Sequence, residues 1–548
     1  MHTLRRNALI LMLPAIASLA IACDRADTPM EPQASPEMLS MGGSGTLWVN
    51  RDDPNGFPYM PPGNGCNNPG YPTIQSAVNA AEPGDHINVC PGLYPEQVII
   101  PAGKDRLRLK SVRRWEAVIQ APPVMMPDPG VPAFTIVRVD GARDVTIFAF
   151  TITGPGPGGC ASLHYGVRVR AGGSADILGN HIKDIRDAPP PPTVSGCQNG
   201  VAILVGRWVD GTTGSARIMG NVIDTYQKNG PTVDGPGSYA EISHNRILGV
   251  GPTPTIAQNG SQVSREARAT IRHNFIANNL YTGPQDAASS GILWYAPGRT
   301  ETDHNTLSAN DVGVNIFDFF IETNACGTAE GSIVGHNRVR ASTYDGIVLS
   351  GFTNCPVNEV QIAYNKAEQN AGPGIGVYDA GDNSIDNNKV EDNRDSGILL
   401  GDEDGFFPAT NNTVGNNQVR ENGTAGGDLT DGIRVNAGST GNTLLKNHLR
   451  DNVTHDCHDN NGPAANAWDG NHGETSFPAG LCDRENDDAA FTTSTFYGWD
   501  AAYPWYDTFD LATEFDWAAA YATIDIDGLL ALVPGIRLGD SRRAPNPN

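Results

Sequence analysis

The sequence predicts an all-β solenoid, in which one chain winds through stacked coils of short parallel strands. The first observation is an asparagine that recurs every 23 to 41 residues, which is the length of one coil with variable insertions. The second is a ladder of glycines ahead of the asparagines, each followed by Ile or Val. The third is composition: 63 glycines and 40 prolines in 548 residues suit many short strands joined by turns. The asparagine ladder comprises Asn180, Asn221, Asn245, Asn274, Asn305, Asn337, Asn365, Asn388, Asn417 and Asn447.

Each coil has room for strands and turns but not for a helix. The compact coils span 14 or 15 residues from glycine to asparagine, and parallel strands cannot be joined by tight hairpins. The strands must therefore wind as a solenoid, and a right-handed winding follows the usual handedness of parallel connections. Asparagine suits the corner of each coil, because it tolerates the left-handed backbone region and its amide can hydrogen-bond to equivalent asparagines above and below. The glycine ladder comprises Gly166, Gly200, Gly291, Gly313, Gly346, Gly374, Gly397 and Gly432, with weaker members at Gly230 and Gly260.

The N-terminal residues 1–22 have the character of an export signal. Arg5 and Arg6 precede an apolar stretch that is too short for a membrane span. The stretch ends in Leu-Ala-Ile-Ala-Cys, which resembles the lipobox of bacterial lipoproteins; in that family Cys23 would be acylated and would anchor the protein to a membrane. Cleavage nearby without acylation is the alternative. Residues 23–45 are predicted to be a flexible tether, so we expect a lipid-anchored protein of the bacterial cell envelope, in the periplasm or at the cell surface.

Residues 46–482 resemble a single-stranded right-handed parallel β-helix of the pectin-lyase-like class, with about 11–13 coils. Residues 71–100 are similar to the opening of that fold. Thr73 can cap a short helix with Ile74, Ala77, Val78 and Ala81 on one apolar face. Such a helix would cover the open end of the solenoid, which otherwise exposes its core.

The C-terminal part contains two further segments. Residues 455–482 resemble the closing segment of secreted bacterial β-helix proteins, and we interpret them as a cap. Residues 483–548 form a predicted extension, in which aromatic residues alternate with aspartates. We expect this extension to pack back along the solenoid, with stacking on sugar rings as the alternative.

The cysteine count supports export. Without Cys23, eight of the nine cysteines remain, an even number that is typical of an oxidising compartment. Sequence alone leaves their connectivity open, but Cys326 and Cys355 lie 11 and 10 residues before their ladder asparagines, so they fall at nearly the same place on adjacent coils. Neighbouring strands are about 4.8 Å apart, within the Cα separation that a disulfide accepts. The predicted pairs are Cys66 with Cys90, Cys160 with Cys197, Cys326 with Cys355, and Cys457 with Cys482.

The formal charge of -24 argues against unaided binding of nucleic acid, since like charges repel. We therefore expect no nucleic-acid partner. A monomer is predicted, with a membrane and a polysaccharide as partners.

Catalytic groups of pectin-lyase-like enzymes lie on the outer face of one sheet, framed by insertions at coil corners. Extra residues enter this chain after Gly200, Gly313, Gly346 and Gly397. However, the sequence lacks the Gly-His-Gly of polygalacturonases, the Trp-x-Asp-His of pectate lyases and the Asp-Pro-His-Asp of alginate epimerases, so we assign no catalytic residue. The acidic residues near these coils are Asp318, Asp345, Asp379, Asp382, Asp402, Glu403, Asp404 and Asp431, with Arg434 as a cationic neighbour.

A run of histidines is the second candidate site. His244, His273, His304 and His336 each precede a ladder asparagine on four consecutive coils, so their side chains should stack in a column. Imidazoles at that spacing could share a transition metal. The alternative is that this position simply takes any residue compatible with a turn. We expect no required cofactor, with a divalent metal at this column as the alternative.

Three functions remain open from the sequence. The first is recognition of an extended carbohydrate by a lipid-anchored β-helix. The second is catalysis as a polysaccharide lyase, epimerase or glycoside hydrolase. The third is metal handling in the periplasm, as in β-helix proteins of the NosD type.

Overall fold

The computed structural model describes residues 45–52, 58–188, 195–284, 287–352, 354–424 and 429–483. The chain divides into two units, Met1–Asp487 and Asp488–Asn548, and all described residues belong to the first. The predicted export signal, Cys23, residues 24–44 of the predicted tether and residues 484–548 of the predicted extension lie outside the described residues. Within the described part, no helix is long and apolar enough to span a membrane.

Three parallel sheets of 15, 13 and 14 strands run the length of the first unit. The chain visits them in turn, so the described residues contain thirteen coils with one strand in each sheet, within the predicted range of about 11–13 coils. We number the sheets in the order of one coil: sheet 1 precedes the asparagine corner, sheet 2 follows it, and sheet 3 begins at the glycine ladder. The inward side chains of all three sheets form one continuous apolar core of mostly Ile, Val, Leu and Ala.

The strands of sheet 1 are Thr46–Val49, His86–Val89, Arg108–Ser111, Val145–Phe148, Gly173–Leu178, Gly214–Met219, Tyr239–Ser243, Arg268–Arg272, Glu301–Asp303, Ile333–Gly335, Gln361–Ala363, Ser384–Asp386, Thr413–Gly415, Thr443–Leu445 and Ala467–Asp469. Those of sheet 2 are Gly92–Pro95, Ala117–Gln120, Thr151–Thr153, His181–Lys183, Val222–Asp224, Arg246–Thr253, Phe275–Tyr281, Thr306–Ser308, Arg338–Arg340, Lys366–Glu368, Lys389–Glu391, Gln418–Arg420 and His448–Arg450.

The strands of sheet 3 are Val98–Pro101, Thr135–Asp140, Tyr165–Arg170, Val201–Val205, Asn229–Asp234, Asn259–Ser264, Ser290–Tyr295, Val312–Phe317, Ile347–Ser350, Ile375–Tyr378, Ile398–Leu400, Ile433–Val435, Cys457–Asp459 and Ser476–Phe477. Three small sheets lie outside this pattern. They are Gly63–Gly65 with Asn68–Pro69, Phe319–Phe320 with Ala325–Cys326, and Val357–Asn358 with Ala380–Gly381 and Ala409–Thr410.

Helix α1, Ile74–Ala80, covers the N-terminal end of the solenoid as predicted. The Thr73 hydroxyl accepts a hydrogen bond from the backbone N–H of Ser76, which satisfies one of the free donors at the helix start. The Glu96 carboxylate accepts the N–H groups of Ile74 and Gln75, each at 2.9 Å. The predicted apolar face is fully buried and packs on the first strands of sheets 1 and 3.

All ten ladder asparagines are buried at the corner between sheets 1 and 2. From Asn221 onwards, each Oδ1 accepts two hydrogen bonds from the preceding rung, one from its backbone N–H and one from its side-chain amide, as between Asn388 and Asn417. The chain of amides continues to Asn471. One part of the prediction was wrong, because the left-handed residue is the one before each asparagine, as at Asn387 with φ 56° and Lys446 with φ 52°. The asparagine itself supplies the hydrogen bonds and not the bend.

Two further asparagine ladders lie at the other corners. Asn393, Asn422 and Asn452 form part of one, five residues after the first ladder. Asn412 and Asn442 belong to the other, five residues before it. Both end on carboxylates, since Asn452 donates to Asp456 and Asn466 donates to Asp459. A carboxylate only accepts hydrogen bonds, so it closes a ladder near the C-terminal end without leaving a buried donor unpaired.

The glycine ladder marks places where a side chain does not fit. A Cβ at Gly313 or Gly346 would lie 2.5 Å from the carbonyl oxygen of the next rung. Gly200 was wrongly included: Gly166 aligns with Ala202 because Tyr165 pairs with Val201. Gly200 has φ +83° and serves the turn before the strand.

The disulfides join the four expected pairs of cysteines. Their Cα separations are 5.6, 5.7, 5.0 and 6.2 Å in chain order. Four disulfides are typical of an exported protein, because cytosolic thiols are kept reduced.

Candidate functional site

The predicted insertions lie at one edge of sheet 3. Residues 206–213, 318–332, 351–360 and 401–412 each connect a strand of sheet 3 to the next strand of sheet 1. The small hairpin Phe319–Phe320 with Ala325–Cys326 belongs to the second of these insertions. They border the outer face of sheet 3, so this is where the coils offer space for a functional site.

Four charged or titratable side chains meet at the C-terminal end of that face. We call Asp431, Arg434, His455 and His458 the Asp431 cluster. Nδ1 of His455 lies 3.0 Å from Asp431 Oδ1, and Nδ1 of His458 lies 3.0 Å from Asp431 Oδ2. Arg434 donates to Asp431 Oδ2 at 2.9 Å. One carboxylate therefore holds two imidazoles and a guanidinium.

Adjacent strands bring the cluster together. Arg434 and His458 lie opposite each other on neighbouring strands of sheet 3. Asp431 precedes the first of these strands, and His455 precedes the second. The backbone N–H of His455 also donates to Asp431 Oδ1 at 3.1 Å, which ties the two turns to each other.

Exposure differs within the cluster. The side chain of Asp431 is 0% exposed and that of His455 is 27% exposed. Burial alone would raise the pKa of Asp431, but the hydrogen bonds from His458 and Arg434 outweigh it and hold this pKa below its usual value. Asp431 is therefore an ionised anchor, and the His455 ring, bound through Nδ1, directs its Nε2 edge away from the carboxylate. That arrangement fixes the orientation of an imidazole that can exchange protons.

An exposed aromatic ring adjoins the Asp431 cluster. Phe477 is 52% exposed, and its ring centroid lies 5.8 Å from that of His455 and 5.2 Å from that of His458. Phe406, in the insertion 401–412, is 73% exposed. Exposed aromatic faces beside polar donors form a surface suited to sugar rings.

The acidic residues predicted from the sequence do not converge on one place. Asp431 and Arg434 form an ion pair, whereas Asp402 folds back to accept the backbone N–H of Phe407 at 2.7 Å. Glu403 and Asp404 are exposed. Their loop is therefore a solvated turn.

Four of these aspartates have other environments. Asp379 and Asp382 occupy left-handed turn positions, with φ 48° and 54°, and burial raises the pKa of Asp379. Burial, and then the charge of Glu330, raises the pKa of Asp318 to about 7. A Cβ at Gly327 would lie 1.9 Å from Asp318 Oδ1, so the second insertion closes over this carboxyl. Asp345 is likewise enclosed, because a Cβ at Gly372 would lie 2.7 Å from its Oδ1.

The histidines stack in a column as expected. Consecutive ring centroids from His244 to His336 are 5.0, 5.1 and 4.6 Å apart, and Tyr364 continues the stack at 5.1 Å. Burial and the adjacent imidazoles lower the pKa of His273 to about 4, and burial also lowers the pKa of His244.

The last two rings of the column share a carboxylate. His304 and His336 direct Nδ1 to Asp303, at 2.5 Å and 3.0 Å. Burial would raise the pKa of Asp303, but these two contacts hold it far below its usual range. Metal binding by the column stays a prediction.

Sequence reasoning missed His455, His458 and Asp303. Asp431 and Arg434 were named as neighbours, but His455 and His458 were assigned to the cap. The usable signal was the string His-Asp-Cys-His, in which one strand start carries two histidines. Asp303 was missed because the run of candidate ligands was chosen by histidine alone, and the aspartate just before His304 does not recur with the histidines.

Comparisons with known proteins agree on the architecture. A family described as right-handed beta helix region matches residues 321–475. No curated protein matches the chain at a significant level. This protein is a right-handed parallel β-helix.

Solved structures of the same fold include the catalytic domain of a GH87 alpha-1,3-glucanase, with 11% identity, 76% of this chain and 70% of that chain covered, and a TM-score of 0.50. DFA-IIIase from Arthrobacter chlorophenolicus A6 has 14% identity over 74% of this chain and 94% of that chain, with a TM-score of 0.38. The A-module of a mannuronan C-5 epimerase from Azotobacter vinelandii has 16% identity over 74% and 92%, with a TM-score of 0.31.

Proposed function

We propose that this exported protein recognises an extended carbohydrate on the outer face of sheet 3, at the C-terminal end of the solenoid. The observation that carries the proposal is the Asp431 cluster beside the exposed ring of Phe477. A sugar offers an apolar face and hydroxyl edges, so it needs an aromatic surface together with fixed polar groups. The insertions at the edge of sheet 3 would limit how a long polymer lies across it.

The chemistry of the cluster supports a hydroxylated or carboxylated ligand. His455 presents a polar ring edge whose position is set by one buried anion, and Arg434 and His458 are held beside it by the same carboxylate. Side chains held in this way lose little conformational freedom when a ligand binds, which favours affinity. The glucanase of the same fold acts on a glucan by its name, which is consistent with this ligand class.

Acid–base catalysis at the same place is the second candidate function. It is favoured by the pairing of His455 with Asp431, because a carboxylate at Nδ1 orients the ring and leaves Nε2 to take or give a proton. Proton abstraction from an acidic sugar, as in a lyase or an epimerase, fits a histidine base near a guanidinium. Glycoside hydrolysis fits less well, since the cluster in the described region contains a single carboxylate and that reaction commonly uses two.

A panel of neutral and uronic-acid polysaccharides in affinity electrophoresis tests the first function. We expect at least one polymer to retard the protein, and Phe477→Ala to remove most of that retardation. His181→Gln is the matched control, because His181 also pairs with an aspartate, Asp224 at 2.8 Å, on a different sheet. Equal retardation of all variants, or none of the wild type, would reject this site.

Assays for new reducing ends and for unsaturated products on the same panel test the second function. His455→Gln should abolish product while the polymer is still bound. Binding by the wild type without any product would remove catalysis for those polymers and leave recognition.

The membrane anchor is a separate proposal. We propose that Cys23 is acylated, on the basis of the Leu-Ala-Ile-Ala-Cys string. Expression of the full chain and of Cys23→Ser in a bacterial host, followed by membrane fractionation and fatty-acid labelling, tests it. The wild type should be labelled and sediment with membranes, and a wild type without label would contradict the anchor.

A further inference from the structure

The column of histidines ends in an arrangement that the sequence did not reveal. We call Asp303, His304 and His336 the Asp303 bridge. The Asp303 carboxylate spans two coils, with Oδ2 facing Nδ1 of His304 and Oδ1 facing Nδ1 of His336. These ligand-type atoms all lie within 4.8 Å of one another. The bridge lies on a different face from the Asp431 cluster, at the corner between sheets 1 and 2.

The backbone builds the bridge through two local features. Asp303 pairs in register with Gly335 on sheet 1, and a Cβ at Gly335 would approach Asp303 Oδ1 to 3.2 Å. The glycine therefore leaves room for the carboxylate to reach the next coil. His304 and His336 have left-handed backbones, with φ 53° and 51°, so both rings leave the coil in the same direction.

We propose that the Asp303 bridge binds a divalent transition-metal ion of the zinc or copper class. Imidazole nitrogen and carboxylate oxygen are common ligands of these ions. Ligand atoms about 2.0–2.1 Å from one ion lie about 3.3 Å apart in a tetrahedral site. The observed separations of 2.5 Å and 3.0 Å need only a small outward movement to admit the ion.

The surroundings suit a metal with an open coordination position. The side chains of Asp303, His304 and His336 are 22%, 29% and 41% exposed, so an ion can enter and water can complete its coordination. The rings of His304 and His336 are stacked at an interplanar angle of 8°. Coordination through both Nδ1 edges keeps that stack.

Charge distinguishes this bridge from the Asp431 cluster. Asp431 is also flanked by two histidines, but the Arg434 guanidinium pairs with it at 2.9 Å and lies 3.3 Å from Nδ1 of His458. A cation already occupies that place, which disfavours a metal ion there. The ion pairs of Asp303 are with His304 and His336.

The chain contains its own matched control. Asp386 spans the coils of Asn387 and Asn416 in the same way, accepting their side-chain amides at 2.6 Å and 2.8 Å. Amide nitrogens are donors without an available lone pair, so the Asp386 bridge holds hydrogen bonds and offers no nitrogen ligand. Replacing both histidines of the Asp303 bridge by asparagine gives it the same side chains as the Asp386 bridge, which the fold accommodates.

Isothermal titration of the tag-free chain with zinc chloride tests the proposal. We expect one site in the wild type and an affinity at least about 100-fold weaker in the His304→Asn/His336→Asn variant. Asp386→Asn and His455→Gln should bind as the wild type does. Absence of binding by the wild type, or undiminished binding by the double variant, would overturn the proposal. Loss of binding in His455→Gln alone would also overturn it, because it would place the ion at the Asp431 cluster.

A gain-of-function variant guards against misfolding as the cause of a loss. Asn387→His/Asn416→His should convert the Asp386 bridge into a second site and raise the stoichiometry from one to two. Electron paramagnetic resonance of the bound copper ion gives an independent readout, because two nitrogen ligands split the signal. The nitrogen splitting should disappear in the His304→Asn/His336→Asn variant, and its persistence there would contradict the assignment.

Discussion

The Asp303 bridge and the Asp386 bridge have the same construction but different chemistry. In each, a sheet 1 aspartate bonds to the left-handed residue that follows it and to its counterpart one coil later. The next strand leaves space in both, with Gly335 opposite Asp303 and Gly415 opposite Asp386. Each bridge requires only a left-handed residue with a hydrogen-bonding side chain on both coils. Imidazole meets that demand while adding titration and metal affinity, and the amide adds neither.

Metal-dependent stability separates the two bridges most strongly. Zinc at 100 times its dissociation constant should stabilise the wild type by about 2.7 kcal/mol, because the ion binds the folded state. The His304→Asn/His336→Asn variant should gain nothing under the same conditions. Urea midpoints with zinc and with a chelator measure the difference, and equal gains in both proteins would remove the distinction.

Backbone strain should affect both bridges alike. His304→Val and Asn387→Val each place a β-branched residue at positive φ, so each should cost about 1–2 kcal/mol. Chemical denaturation at pH 7 without metal gives both values. If Asn387→Gly costs as much as Asn387→Val, the loss comes from the hydrogen bond to Asp386 and not from the backbone.

A change of pH should distinguish the histidine column from the amides of the Asp386 bridge. Burial and the adjacent imidazoles lower the pKa of His273 to about 4, against about 6.5 when unfolded. The unfolded chain therefore binds this proton more readily, and stability falls as pH drops from 6.5 towards 4. After discounting for solvent screening, we expect a loss of about 1 kcal/mol.

Denaturation at pH 7 and pH 5 measures this effect. His273→Asn should lose less stability over that range than the wild type, since an amide does not titrate. An unchanged pH dependence in His273→Asn would show that other groups carry it. Lys446→Asn, at the same corner position outside the histidine column, is the control and should keep the dependence of the wild type.

The carboxylate of the Asp386 bridge should contribute least. Its bond to Asn416 is exposed, so water can replace the carboxylate in Asp386→Ala, and we expect a cost of about 0.5–1 kcal/mol. A loss above 2 kcal/mol in the urea midpoint analysis would mean that the bridge organises the turn.

The features that could be predicted from the sequence are those that repeat from coil to coil. The asparagine corner and the glycine ladder recur along successive coils, and their register also placed Cys326 opposite Cys355. The two extra asparagine ladders were also within reach, since asparagines at 383, 388 and 393 are five residues apart.

The candidate sites had no such repetition. Asp431 meets His455 and His458 across 24 and 27 residues, and Asp303 meets His336 across 33. These separations are close to one coil, so the sequence placed the partners on adjacent coils. It did not indicate which way each side chain points, or that Gly335 leaves the space that Asp303 uses.

The sequence by itself determined the winding, the corners, the capping helix and the cysteines that face one another, because these depend on periodic positions and backbone preferences. Tertiary structure decided which single side chains converge. Strands about 4.8 Å apart bring every residue near its counterpart in the next coil. Whether two of them then share a carboxylate depends on side-chain direction, local space and burial, and these are properties of a single place in the fold.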